Sequence, residues 1–375
     1  MLLSGIFPPI TTPFYPDGKV YYKKIEANVE RYSRTPVAGI VVLGSTGEAI
    51  LLSDQERRDV LKTALAAAAP SKVMIAGTGI ESANETLRLT EYAAELGYDA
   101  AMVRTPHYYK KQMWAANLLA FYRTVADRSA LPIIIYNFPQ ATGYDIPAEV
   151  VIELAGHPNI VAIKESSGNL DKVKAMVEGT RNINVKRQAT VTETFEAVTP
   201  RMLKAAAAES AKESRELVSV ASLAGSAESM ERRASSPVPA DSATKPSSSA
   251  VTVVGKLKTR QKEVGFQVMV GAAHQLEPSL GLGAVGAILA LACPAPTACY
   301  EIYAALKDGD NALAREKQER VKLAAQRVVG ELGVPGVKYA MDLNGYYGGP
   351  ARLPFLPLTA EQKSEIEKLM AGIKS

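Results

Sequence analysis

Eight short apolar runs divide the chain at intervals filled by helix-like sequence, and this alternation restricts the fold more than any other feature. The runs are Gly5–Thr11, Gly39–Leu43, Val73–Gly77, Ala100–Arg104, Pro132–Tyr136 and Ile160–Lys164, then, after a long break, Phe266–Val270 and Gly286–Ala290. Strands that are apolar on both faces are buried in parallel sheets, and parallel neighbours need a crossover between them, usually a helix. Ser53-Asp54-Gln55-Glu56 and Ser82-Ala83-Asn84-Glu85 each carry the serine-to-glutamate spacing of a capping box at a helix start. Eight such units predict a (β/α)8 TIM barrel, whose reactive groups stand on the loops after the C-terminal ends of the strands. Beyond Ala290, Ala298–Leu306, Ala312–Leu332 and Thr359–Ile373 read as a C-terminal helical extension. The expected organisation is six strands in 1–180, an insertion over 181–264, two strands in 265–295 and the extension over 296–375.

The insertion differs from its surroundings. A helix-prone part, Pro200–Ala224, passes into a Ser/Pro/Ala-rich stretch, 232–249, with too little apolar surface to offset its ordering entropy. The segment is expected to be mostly disordered and to leave from the N-terminal face of the barrel, opposite the chemistry. It also holds the basicity: 182–262 carries 13 Lys+Arg against 8 Asp+Glu, a net +5, so the chain's total of +4 leaves −1 for the rest. No basic face with interleaved aromatics stands out, which argues against a nucleic-acid partner. No run reaches the ~18 apolar residues of a membrane span, and no charged or Arg-rich leader precedes Gly5. A cytoplasmic protein without a membrane partner is expected. Cys293 and Cys299, without CxxC or Cys/His spacing, suggest reduced packing residues and no metal site.

The chemistry centres on Asn159-Ile160-Val161-Ala162-Ile163-Lys164. A lysine at the last position of a buried strand is partly desolvated, which lowers its pKa and frees the amine to attack a ketone. Three other strand ends converge on it. Gly44-Ser45-Thr46-Gly47-Glu48 offers backbone N–H groups for a carboxylate and hydroxyls for proton transfer. Tyr136-Asn137-Phe138-Pro139 sets a phenol at the barrel mouth, able to relay protons. Thr105-Pro106-His107-Tyr108-Tyr109 adds aromatics.

In their joint order these stretches resemble the pyruvate-dependent Schiff-base aldolases and lyases, the group of dihydrodipicolinate synthase and N-acetylneuraminate lyase. The resemblance covers 1–180 and 265–375. It implies a TIM barrel, usually a homotetramer, with a dimer as the other expected assembly. It further implies that Lys164 condenses with pyruvate or another 2-oxo acid, with neither cofactor nor metal. Tyr136 would shuttle protons to the Schiff base, with Ser45 and a Tyr108 reaching across a subunit interface completing the relay. Thr46, with the amides beside it at Gly44, would hold the pyruvyl carboxylate, while Ser166 and Gly271 would line the pocket. His274 and Glu277, after the seventh strand, depart from the family pattern, and His274 is the pocket candidate among the three histidines.

Other stretches, including Gly5-Ile6-Phe7-Pro8-Pro9 and Gly345-Tyr346-Tyr347-Gly348-Gly349-Pro350, are most similar to the eukaryotic 4-hydroxy-2-oxoglutarate aldolases. That activity, cleavage to pyruvate and glyoxylate, is the first expectation. Dihydrodipicolinate synthases typically place an arginine two residues after the proline of the Tyr136 motif, where Ala141 stands here, and an alanine makes no bidentate carboxylate contact. Cys293 stands where relatives often have asparagine. A 4-hydroxy-tetrahydrodipicolinate synthase, a 2-keto-3-deoxy-sugar-acid aldolase and an inactive metabolite-binding paralogue remain the alternatives. The Gly281-Leu282-Gly283-Ala284-Val285-Gly286 match to a dinucleotide fingerprint is discounted, because it precedes a strand rather than following one. Lys338 and Arg352 read as surface or interface charges, and His157 and His107 as loop and packing residues.

Overall fold

A computed structural model of the chain describes residues 2–192, 198–223, 252–254 and 257–373. The strands are β1 (Gly5–Phe7), β2 (Gly39–Val42), β3 (Val73–Gly77), β4 (Ala100–Arg104), β5 (Ile133–Asn137), β6 (Ile160–Glu165), β7 (Arg187–Val191), β8 (Thr252–Val254), β9 (Leu257–Val264), β10 (Gln267–Val270) and β11 (Gly286–Ile288). Eight of them form one sheet in the order β1-β11-β10-β6-β5-β4-β3-β2, each neighbouring pair parallel. Pro8 and Pro9 cut β1 short, because proline has no N–H to give the ladder. The sheet nevertheless closes on β2: the Ala38 N–H donates to Ile6 O, the Val41 N–H to Pro8 O and the Ile10 N–H to Val41 O. The expected eight-stranded TIM barrel is the observed fold.

Strand alternation divides the core in two. Phe7, Val41, Ile75, Met102, Ile134, Ala162, Met269 and Ile288 fill the barrel interior. The intervening residues, among them Ile40, Val42, Ala101, Val103, Ile133, Ile135 and Ile163, pack outward against the helices. Successive residues of a strand face opposite sides, so this division decides what the strand ends present to the mouth.

The helix Asp54–Ala67 starts with the expected capping box, the Glu56 N–H donating to Ser53 Oγ and the Ser53 N–H to Glu56 Oε2. Ser82 makes no such bond. There Thr86 closes the turn instead, its hydroxyl bonded to both the N–H and the carbonyl of Ile80, while Glu85 pairs with Arg88. In the extension, helices Pro296–Lys307, Asn311–Ala324 and Ala360–Met370 follow the sequence reading, but Gly333–Leu343 is a fourth helix it did not foresee. Gly333, Pro335 and Gly336 disguise that helix, although proline in a first turn removes only an N–H that lacks an intrahelical partner anyway. No helix among the described residues is long and apolar enough to cross a membrane.

The insertion is more ordered at its ends than its composition suggests. β7 pairs antiparallel with β9, and β9 with β8; the helix-prone part is helical over Pro200–Leu223. The low-complexity stretch 232–249 lies outside the described residues. What holds the ends is the underside of the barrel. Ala189, Val191 and Val264 pack with Leu2, just ahead of β1. Arg187 donates to the carbonyls of His157, Pro158 and Ile160, where β6 begins. Arg201 donates to Lys72 O, ahead of β3, and faces Asp99, ahead of β4, at 3.9 Å. The insertion therefore covers strand starts, as expected from its place in the chain.

Asp99 is buried, and that burial raises its pKa to about 6 even though its carboxylate accepts the Met74 N–H and faces Arg201. Arg201→Ala is expected to lower the unfolding free energy by about 1–3 kcal/mol, measured by chemical denaturation. An unchanged midpoint would show that the underside contact is dispensable.

Candidate active site

Register sets three side chains abreast at the mouth: Arg104 of β4 is partnered with Tyr136 of β5, and Tyr136 with Lys164 of β6. Lys164 is the expected strand-end lysine. It is only 4% exposed, and burial pushes its amine down to about 7. Its Nζ stands 4.2 Å from the centroid of the Tyr136 ring. Burial likewise pushes the Tyr136 phenol up, to about 12, against the opposing effects of a hydrogen bond with Ser45 and the charge of Arg104. The phenol oxygen lies 3.2 Å from Ser45 Oγ. Lysine, phenol and hydroxyl are thus brought together as the sequence suggested.

Ser45 and Thr46 occupy a single 3₁₀ turn, Ser45–Gly47, flanked by two non-glycine residues at positive φ, Leu43 (63°) and Glu48 (54°). Such a conformation persists where surrounding contacts over-determine it. The contacts come from the far end of the chain. Lys338, 1% exposed, sets its Nζ 2.5 Å from Glu48 Oε1 and donates to the carbonyls of Thr12 and Pro350. The Arg352 N–H donates to Glu48 Oε2 at 2.7 Å, and the Arg352 guanidinium forks onto Glu56 and Gly18 O. The two residues expected at the surface are instead internal struts. Lys338 is invisible to sequence reading because its partner lies 290 positions away.

Behind Lys164 the strand is fixed from its outer side. Glu165 is buried, accepts from Asn137 Nδ2 and the Ser167 N–H, and faces Lys172 Nζ at 3.2 Å. At the end of β10, Gly271 leaves room for the amine. A Cβ there would lie 1.9 Å from Ser166 Oγ and 3.1 Å from Lys164 Cε. Ser166 Oγ is buried with no hydrogen-bond partner among the described residues. Cys293, fully buried, donates its thiol to Pro9 O at 3.1 Å, and burial raises its pKa so that the thiol stays neutral near Lys164. Both cysteines are free.

In front of Tyr136 a cavity of about 380 Å³ opens between the mouth and the C-terminal helices, lined by Ser45, Thr46, Arg104, His107, Ala141 and Val337 among others. Gly44 borders a recess of about 30 Å³ with Ser45 and Arg104. Lys164, Ser166 and Gly271 lie behind Tyr136 and line neither space, and two further expected residues are elsewhere. Tyr108 is 75% exposed, edge-on to Tyr109, and does not reach the relay of its own chain. His274, half-buried in the turn after β10, sits beside Gly168 rather than in the cavity, with burial and Lys322 holding its pKa down. His107, in contrast, lines the cavity with its Nδ1 2.6 Å from Glu81. Sequence reasoning missed Arg104, though its position ending β4 at the mouth was available. Among the described residues no three His, Cys, Asp or Glu side chains cluster as a metal site.

A family model described as "Dihydrodipicolinate synthetase family" matches residues 2–207 and 242–373, further into both ends of the insertion than the sequence resemblance reached. A 4-hydroxy-tetrahydrodipicolinate synthase of Methanothrix thermoacetophila is 27% identical over 369 residues, 98% of this chain and 96% of that protein. One from Xanthomonas axonopodis pv. citri is 42% identical over 177 residues, 47% of this chain and 58% of its own length. Among solved structures, a chloride-inhibited dihydrodipicolinate synthase from Acinetobacter baumannii complexed with pyruvate superposes with a TM-score of 0.73 at 26% identity, covering 99% of each chain.

Lys338→Met would leave Glu48 buried without its cation, and a loss of about 3–5 kcal/mol in unfolding free energy is expected. A denaturant midpoint within error of wild type would refute the strut. Gly271→Ala is expected to fold yet lose the amine's reactivity towards pyruvate, followed by borohydride trapping, because the new methyl takes the space beside Lys164 Cε.

Proposed function

The chain belongs to the dihydrodipicolinate synthetase family, and we propose that it is a pyruvate-dependent Schiff-base lyase acting through Lys164. The observation that carries this reading is a buried amine held near neutrality against a phenol that keeps its proton. A lysine of ordinary pKa is almost wholly protonated at pH 7 and carries no lone pair for attack. Lys164 at about 7 is half neutral there.

In this reading the amine attacks C2 of pyruvate, and the carbinolamine oxygen leaves as water after protonation through Tyr136 and Ser45. Thr46 and the amides beside it hold the pyruvyl carboxylate. The resulting iminium draws electrons from C3, so loss of a methyl proton gives an enamine. The enamine then attacks an aldehyde to form a C–C bond, or arises in the reverse direction when such a bond breaks. The iminium is its own electron sink, and the chemistry needs no Lewis acid.

For the particular reaction, the relatives' names favour 4-hydroxy-tetrahydrodipicolinate synthesis over the 4-hydroxy-2-oxoglutarate cleavage expected from sequence. We adopt the synthase as the first reading. One observation keeps cleavage as the second: Ala141 lines the cavity where a synthase arginine would stand. We further propose a homo-oligomer in which the exposed Tyr108 reaches a partner's relay.

Borohydride reduction with pyruvate is expected to leave a stable adduct on Lys164, absent in Lys164→Ala; no adduct on folded wild type overturns the reading. Because the lysine's pKa is lowered, the neutral form grows as pH rises. The rate of imine formation should climb about tenfold per unit below pH 7 and level off above it. Tyr136→Phe should cost about 10²–10⁴-fold in turnover. A panel of aldehyde acceptors and 2-oxo acids, scored by pyruvate consumed or released, separates synthase from aldolase.

A further inference from the structure

The cavity in front of Tyr136 contains a cation that the reaction at Lys164 does not use. Arg104 is the only lysine or arginine among the described residues lining it. Its guanidinium has five N–H donors in a fixed fork, and few of them are met. One terminal nitrogen donates to Gly79 O, the other stands 3.9 Å from Glu81, and Nε is buried with no hydrogen-bond partner among the described residues. Glu81 is already committed, since it faces His107 Nδ1 and accepts the N–H groups of His107 and Tyr108. A half-desolvated guanidinium with unmet donors invites an anionic oxygen. The anion's position follows from register, because Arg104 stands one strand beyond Tyr136 and two beyond Lys164. A molecule joined at one end to Lys164 and extending past the phenol would direct its other end towards Arg104, two strands away in register. Ala141, on the same cavity, contributes no side chain beyond Cβ that could compete.

We propose that Arg104 recognises a carboxylate on the aldehyde half of the substrate and so selects acidic aldehydes over neutral ones. This rests on the Schiff-base reading above. With pyruvate and glyoxylate the step would join C3 of the Lys164 enamine to the aldehyde carbon. The aldehyde oxygen takes its proton from the Tyr136 relay, and hydrolysis of the iminium returns the amine and 4-hydroxy-2-oxoglutarate.

The test compares two acceptors of nearly equal size, glyoxylate and glycolaldehyde, condensed with pyruvate by wild type, Arg104→Lys and Arg104→Gln. The readout is the ratio of kcat/KM for the two acceptors, which cancels any general effect on imine formation or stability. Arg104→Gln should lower the glyoxylate preference about 10- to 100-fold, with Arg104→Lys between it and wild type. A purely structural Arg104, bracing Gly79, would lower both acceptors alike and leave the ratio unchanged, which overturns the proposal. A wild-type protein that forms the pyruvyl adduct but shows no glyoxylate preference overturns it too. Absence of any adduct overturns the Schiff-base reading, and this inference with it.

Discussion

The buried pair between Glu48 and Lys338 is the contact on which the mouth of the barrel depends. Everything the substrate would meet at the first hydroxyl turn is positioned by a residue at positive φ, and that residue is held by a cation delivered from the helix Gly333–Leu343. Two charges taken out of water are not stabilising by default, since desolvation costs about what their attraction returns. What the pair secures is placement. Lys338 satisfies its remaining protons on Thr12 O and Pro350 O, and the chain comes so close at Gly348 that a Cβ there would lie 1.9 Å from Lys338 O. The C-terminal extension is therefore a working part of the site, although it contributes none of the three groups, Lys164, Tyr136 and Ser45, that come together at the mouth.

Burial also explains the electrostatics of the site without any neighbouring charge of the right sign. The same dry environment pushes the amine of Lys164 down and the phenol of Tyr136 up. Both shifts favour uncharged forms, so the resting pair is a lone pair on nitrogen and a proton on oxygen. That is the combination a nucleophile and its acid need. Ser45 Oγ, 3.2 Å from the phenol oxygen, lines the same cavity as Tyr136.

Much of this was legible in the chain because it is local and periodic. Strand alternation set the eight barrel strands within a residue or two, except that β1 stops earlier at its prolines. The apolar run ending in Lys164 was legible too, and the strand continues one residue beyond it, to Glu165. What escaped was non-local. The Glu48–Lys338 and Glu165–Lys172 contacts depend on folded proximity, and a strand-end Arg104 looks like any snorkelling cation until its register with Tyr136 is known. Tyr108 was assigned by resemblance and His274 by its place after the seventh strand, and neither lines the cavity in the single chain. The insertion was misjudged at its ends, because its fixed points are carbonyls exposed at strand starts rather than anything in its own composition.

Those fixed points give the underside a topological property of its own. β7 and β9 run antiparallel, with Arg187 opposite Val264, so the chain departs and returns through one doorway. The entropy of closing a loop grows only with the logarithm of its length. By loop-closure entropy alone, the length of chain between Leu223 and Thr252 can therefore change with little thermodynamic consequence, while Arg187 and Arg201 keep the doorway shut. The barrel is in this sense tolerant below and fixed above: length is added at the strand starts for a logarithmic cost, at the opposite end of the sheet from Lys164 and Tyr136.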